Sequence, residues 1–235
     1  MIRKKYQHYT LPGKPDFMKT LKILFVVLTL AILLFSAYES AMVLKAYQNT
    51  QTIKRHWLND QVIKIRFQDV PTERINMLLS VEDPGFFEHN GVDFETPGAG
   101  YTTISQALCK AMYFDNFKPG FAKIEQTLIS VLVLDQHFSK EEQLNIFLNT
   151  AYMGHINGRG IYGFANAARV YFESEFNSLT DQQFLALVAM VVAPNGFNIK
   201  TNPTQNEERV KRIQKLLAGE YVPKSLTDIY YQQEI

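Results

Sequence analysis

One cysteine, Cys109, stands in 235 residues. With no partner it can form no internal disulfide, so the fold must rest on its core. The five histidines, at 8, 56, 89, 137 and 155, show neither H-E-x-x-H nor a Cys/His ligand spacing. No structural metal is indicated. Internal repeats and low-complexity runs are missing, and no apolar/polar alternation is long enough to force a sheet. The formal net charge is only +1, and it is unevenly placed. Residues 1–22 carry six basic residues against Asp16, +6 − 1 = +5, which leaves 18 basic and 22 acidic residues in the remainder. A nucleic-acid binder would spread its basic residues over the folded part, so that class is excluded.

What is present begins with an uncharged run, Ile23 to Tyr38. As a helix it covers roughly 24 Å, slightly short of a bilayer core. Lys22 can snorkel, and Ala41–Leu44 extends the apolar character beyond Glu39. Cleavage after Ala37 or Ala41 would put Phe35 or Glu39 where a signal peptidase wants a small residue. The run therefore reads as an uncleaved single-pass anchor in the cytoplasmic membrane. The basic segment in front places the N-terminus in the cytoplasm and the rest of the chain outside. The expected organisation is a basic tail over 1–22, an anchor over 23–43, a connector over 44–69 and a folded domain over 70–235. Within the connector, Lys54-Arg55-His56-Trp57 suits a headgroup layer or a solvated stalk equally well.

The remainder reads as mainly helical. Helices are predicted from Pro71 through Ser80, from Ile104 to Met112, and from Ala122 to His137. Capping boxes at Ser139–Glu142 and Thr180–Gln183 open two more, through Leu148 and through Val192. Pro194 and Asn195-Gly196 close the latter. A charged helix spans Asn206 to Ala218.

The chemistry concentrates in Glu82-Asp83-Pro84-Gly85-Phe86-Phe87-Glu88-His89-Asn90-Gly91. Pro84 disfavours the helical region for Asp83, and the glycines loosen the backbone. An apolar helix running out into a cleft at this point is a place where a carboxylate can be tuned upward as a general base. An acidic surface turn is the plain alternative from this segment alone.

Downstream stand Gly100-Tyr101-Thr102-Thr103-Ile104-Ser105-Gln106, Lys123-Ile124-Glu125, Leu148-Asn149-Thr150-Ala151-Tyr152-Met153-Gly154 and Gly160–Ala168. The series resembles the family 51 peptidoglycan glycosyltransferases, whose signatures read E-D-x-x-F-x-x-H-x-G, G-x-S-T-I-x-Q-Q, R-K-x-x-E and L-N-x-x-Y-x-G. The resemblance runs from about Val70 to about Pro203. It implies a lysozyme-like helical fold and the polymerisation of lipid II. In that reaction a sugar hydroxyl attacks the anomeric carbon at the end of the growing glycan strand with inversion, and undecaprenyl pyrophosphate leaves.

By the same resemblance Glu82 is the base. Asp83, Phe86 and His89 match positions that support the substrate site, His89 as a hydrogen-bonded structural residue. Thr103 and Gln106 match polar residues that position the donor. Lys110 and Lys123 match contacts to its phosphates, and Arg159 is a further phosphate candidate on local chemistry alone. Asn149, Tyr152 and Gly154 open a helix-to-loop turn beside the cleft. No cofactor is required by this reading, and a divalent cation, Mg or Mn, stays open. The implied partners are lipid II, the growing strand, the membrane and transpeptidases of the cell-wall machinery.

Three departures stand out. Counting back from Ser139, Lys123 falls on the signature Arg, Ile124 on the Lys, and Thr127 on the Glu. Glu125 lies two residues away, about 200° around a helix, so it is no simple substitute for the second acidic residue. Tyr101 and Ala107 replace a small residue and the second Gln. Only eight residues separate Gly91 from Gly100, where the family carries a longer insert. A non-catalytic relative that binds lipid-linked precursor or a wall-synthesis partner is therefore the alternative. A lysozyme-type hydrolase would need a second carboxyl group, for which Glu88 and Glu125 are the spare acids. No S-x-x-K signature of a transpeptidase occurs.

Overall fold

The computed structural model describes residues 17–232. Most of the basic segment, residues 1–16, lies outside them. The chain divides between Met42 and Val43 into two units. Helix α1 runs from Phe17 to Trp57. It is the one helix among the described residues long and apolar enough to cross a membrane.

From Val43 onward α1 belongs to the larger unit. The expected connector is thus helical as far as Trp57, and it is no solvated stalk. Thr50 Oγ1 lies 3.0 Å from the Tyr113 hydroxyl. Lys54 Nζ donates to the His137 carbonyl at 2.8 Å and pairs with Glu142 at 2.7 Å. Trp57 packs partly against the core, and Arg55 and His56 stay exposed. Asn149 then ties down the chain after α1. Its Oδ1 accepts from the amides of Lys64 and Ile65, and its Nδ2 donates to the carbonyls of Ile65 and Asn145.

Helix α2 is Thr72–Glu82, α3 Ile104–Tyr113 and α4 Ala122–Ile129. The long helix expected to His137 is interrupted. A π-helical turn, Ser130–Leu134, separates α4 from a last turn at Asp135–His137. Helix α5 is Lys140–Thr150. Capping boxes open α5 from Ser139 and α7, Asp181–Val191, from Thr180, as the sequence predicts. Helix α8 is Pro203–Leu217. The mainly helical class agrees with the lysozyme-like fold expected.

Two elements were not anticipated. Strands β1, Tyr152–Ile156, and β2, Arg159–Tyr162, form an antiparallel hairpin. The turn expected at Asn149–Gly154 is therefore the start of a strand. Helix α6, Phe164–Phe172, follows directly. At its start the Gly163 backbone passes so close to Asn149 that a Cβ would lie 2.3 Å from the Asn149 carbonyl oxygen.

The core is formed mainly by α2, α3, α5, α6 and α7. Leu78, Leu108, Leu144, Ile146, Phe164, Phe184 and Leu187 are among its buried side chains. Helix α2 packs on α7, and α7 on α8, so the C-terminal end of α2 is held from one side by α7 and α8. Its other side meets the loop that leads into α3.

Candidate active site

Glu82 is the last residue of α2. Pro84 and the extended Asp83, with φ −162°, stop the helix there. The stop leaves the Glu82 side chain on the wall of a cavity of about 480 Å³. Val81, Gly98 to Ile104, Ala107, Lys110, Phe147, Val191, Val192, Arg209 and Ile229 line the rest. Glu82 retains some exposure as a residue, but its Oε1 is sealed from solvent and has no hydrogen-bond partner. Burial lifts its carboxyl from 4.5 to about 7. The Arg209 charge pulls the other way, and the Asp83 charge adds to the rise. A carboxylate poised near neutrality on the wall of a cavity can take a proton there.

The other fixed residues of the first signature stand behind Glu82 and hold it. Asp83 is fully buried. Its Oδ2 accepts from the Ile104 amide at 2.8 Å, which ties α2 to the start of α3. His89 Nδ1 faces the Gly91 amide at 3.1 Å. An amide only donates, so Nδ1 accepts, and Nε2–H donates to Asp83 at 3.0 Å. Phe86 is buried beneath the Lys140 ammonium, 4.8 Å from its ring centroid. Gly91, with φ +88°, passes so near the π turn that a Cβ would sit 2.7 Å from the Ser130 carbonyl oxygen. Asp83, Phe86 and His89 therefore position Glu82 rather than line the cavity.

Thr103 lines the cavity and opens α3 with a capping box that the sequence reading did not pick out. Its hydroxyl donates to the Gly91 carbonyl at 2.8 Å. Gln106 is the other half of that box and is buried. Its Nε2 donates to Thr127 Oγ1 at 3.0 Å, and Thr127 passes its own proton to the Lys123 carbonyl at 2.8 Å. Both ends of the Gln106 amide are thus committed internally. Where the signature has its second acid, this chain has a hydroxyl that locks α3 to α4. Glu125 is buried away from the cavity lining, and its charge acts on the Cys109 thiol.

Two of the expected phosphate ligands do come together. Lys110 lines the cavity and lies 5.6 Å over the Phe117 ring. Lys123 Nζ donates to Thr102 Oγ1 on the cavity wall at 3.0 Å. Burial lowers the Lys123 pKa first, and the neighbouring Lys110 charge lowers it further. Asn149, Tyr152 and Arg159 are absent from the lining. Asn149 spends its four hydrogen-bonding positions on the backbone around Ile65, as described above. Tyr152 packs at a tilt against Tyr162 across the hairpin, 5.4 Å between centroids.

The family model described as "Transglycosylase" matches residues 48–218. The chain belongs to the transglycosylase family. Among curated relatives, this chain is 28% identical over 177 residues to penicillin-binding protein 2D of Bacillus subtilis, covering 70% of this chain and 24% of that one. It is 27% identical to penicillin-binding protein 1B of Vibrio cholerae, covering 75% and 24%. A Cupriavidus necator protein named as a transglycosylase is 27% identical, with 63% and 68% covered. The chain thus spans about a quarter of the penicillin-binding proteins it matches. A crystal structure of penicillin-binding protein 1A from Haemophilus influenzae aligns over 74% of this chain and 18% of that one, at 20% identity and a TM-score of 0.39. That likeness is too loose to carry an argument.

One cavity residue escaped the sequence reading. Arg209 lies in what looks like a plain charged helix, yet it is 1% exposed. Its Nε donates to the Ala189 carbonyl at 3.1 Å and its Nη1 to the Ile229 carbonyl at 3.0 Å. The signal was register. Asn206, Arg209, Val210 and Ile213 are the buried positions of α8, spaced i, i+3, i+4, i+7. An arginine on the apolar face of a helix has to be paired, and Glu82 is the charge beside it.

Proposed function

We propose that the protein polymerises lipid II into peptidoglycan glycan strands, with Glu82 as the base. The 4-hydroxyl of an N-acetylglucosamine unit gives its proton to Glu82 as its oxygen attacks the anomeric carbon of N-acetylmuramic acid at the end of the growing strand. The bond to undecaprenyl pyrophosphate breaks, and configuration inverts. Pyrophosphate is already a good leaving group, so it needs charge neutralisation more than protonation. Lys110 and Lys123 supply that charge, and Thr103 helps set the cavity wall against which the donor lies.

The observation that carries this reading is the cavity's charge pattern. Among the described residues Glu82 is the one carboxylate in the lining, and the cationic side chains there are Lys110 and Arg209. A hydrolase acting on finished glycan would need a second, raised-pKa carboxyl group facing the scissile bond. Family membership supports the same chemistry. The basic segment before α1 supports an N-terminus in the cytoplasm and a catalytic unit outside the membrane. Among the described residues, no three His, Cys, Asp or Glu side chains are grouped so as to hold a metal. In this reading two lysines supply the charge that the pyrophosphate needs, no cofactor is required, and a divalent cation, Mg or Mn, stays open. Polymerisation in EDTA and with added Mg or Mn tests that point.

Thr127 favours a second reading, a non-catalytic relative that binds the lipid-linked precursor or a wall-synthesis partner such as a transpeptidase. Incubating fluorescent lipid II with the detergent-solubilised protein and with its Glu82→Gln variant separates the two. Polymer from the parent alone is expected. Bound but unpolymerised lipid II with both proteins would replace the enzyme by the binder.

A further inference from the structure

Helix α8 ends at Leu217, and the family match ends at residue 218. The following segment, 219–232, folds back over the short loop between Gly91 and α3. The Gly98 amide donates to the Ser225 carbonyl at 2.9 Å and the Gly100 amide to Leu226 at 2.8 Å. The fit leaves little room. A Cβ at Gly98 would lie 3.0 Å from Pro223, and one at Gly100 3.1 Å from Ile229. Both glycines also have positive φ, so side chains are disfavoured there twice over.

The segment then reaches the base. Ile229 lines the Glu82 cavity. The Ile229 carbonyl accepts from Arg209, the buried cation beside Glu82. Tyr231 is 2% exposed, and its hydroxyl donates to the Val81 carbonyl at 2.8 Å. That carbonyl lies in the last turn of α2, where intrahelical partners run out. Tyr231 itself holds φ +53°, a strained value for an aromatic residue that needs surrounding structure to enforce it. Glu82 is therefore anchored through both chain neighbours. Val81 is held by Tyr231, and Asp83 by the Ile104 amide and His89.

We infer that segment 219–232 is a working part of the Glu82 site, in which Tyr231 positions the base and Ile229 walls the cavity against water. The inference rests on reading Glu82 as the base. It also explains how a chain with only eight residues between Gly91 and Gly100 encloses a site there. Chain from beyond the family match, residues 219–232, covers that short loop.

The test uses the full chain and two variants. Tyr231→Phe removes one hydroxyl and keeps the ring against Arg209. Ile229→Ala opens the wall without touching that bond. Three quantities are measured on each, kcat and KM on lipid II and the titration midpoint of the Glu82 carboxyl by ¹³C NMR, assigned by its loss in Glu82→Gln. A misplaced base is expected to lower kcat in Tyr231→Phe by about ten- to a hundredfold with KM little changed. Ile229→Ala is expected to bring the Glu82 midpoint down from about 7 by about one pH unit as water reaches the carboxyl, with the Arg209 and Asp83 charges beside it unaltered. Parent-like kcat and parent-like midpoints in both variants overturn the inference. Should the parent form no polymer, the titration decides alone. A lowered midpoint then supports the role of segment 219–232 while the polymerase reading falls, and an unchanged one overturns that role.

Discussion

Replacing Glu82 by glutamine should remove a pH-dependent penalty from the fold. Burial holds this carboxyl at about 7 in the folded protein against 4.5 in the free side chain. Between those values the unfolded chain has released the proton while the folded protein still holds it, so stability falls as pH rises through the window. Above about 7 the penalty is complete. The interval is 7 − 4.5 = 2.5. At about 1.4 kcal/mol per pKa unit this amounts to about 3 kcal/mol at pH 8, and to less than about 1 kcal/mol at pH 5. Glutamine has the same shape and no proton to lose. Every other titrating group is common to both proteins and cancels in the comparison. Urea unfolding of parent and variant at both pH values should therefore give the variant a relative gain of about 2.5 kcal/mol on going from pH 5 to pH 8. The Arg209 attraction is already contained in the value near 7, so it needs no separate allowance. An identical pH response in the two proteins would refute the reasoning, because the carboxyl would then titrate like an exposed one.

Polymerisation should rise with pH through about 7, where Glu82 loses its proton, and initial rates across a buffer series check this. Thr127→Val leaves Gln106 Nε2 without its partner and should cost about 1–3 kcal/mol in urea unfolding, while Thr127→Ser stays near the parent. Asn149→Ala strips the amides of Lys64 and Ile65 of their acceptor and should cost about 2–3 kcal/mol. Because Asn149 does not line the cavity, KM on lipid II should stay within about twofold of the parent in that variant.

Much of this was legible in the sequence because local chemistry decides it. Ser139 and Thr180 sit three residues before a Glu and a Gln, and both cap α5 and α7 as written. Pro84 stops α2 where Glu82 is needed. The hairpin was missed because Tyr152–Ile156 contains Gly154 and His155 and shows no clean alternation. Its signal was the dipeptide Asn157-Gly158, both with positive φ, which suits a tight turn between antiparallel strands. The roles of Gln106 and Asn149 were out of reach for another reason. A polar side chain in a signature can face a substrate or satisfy buried backbone, and only the positions of Thr127 and Ile65 decide between them. The contribution of residues 219–232 was equally hidden, since a polar stretch after a charged helix reads as an ordinary extension until Ile229 and Tyr231 are seen against α2 and Arg209.

Cys109 has a use beyond packing. It is fully buried between α3 and α4, its Sγ points at the Gln126 carbonyl at 3.4 Å, and burial pushes its thiol up to about 12. At neutral pH it carries almost no thiolate, so an alkylating reagent finds nothing to attack in the folded chain. Modification can proceed only as fast as α3 and α4 part. The single sulfhydryl is thus a built-in clock for that opening, and a thiol introduced anywhere on the surface would react long before it strikes.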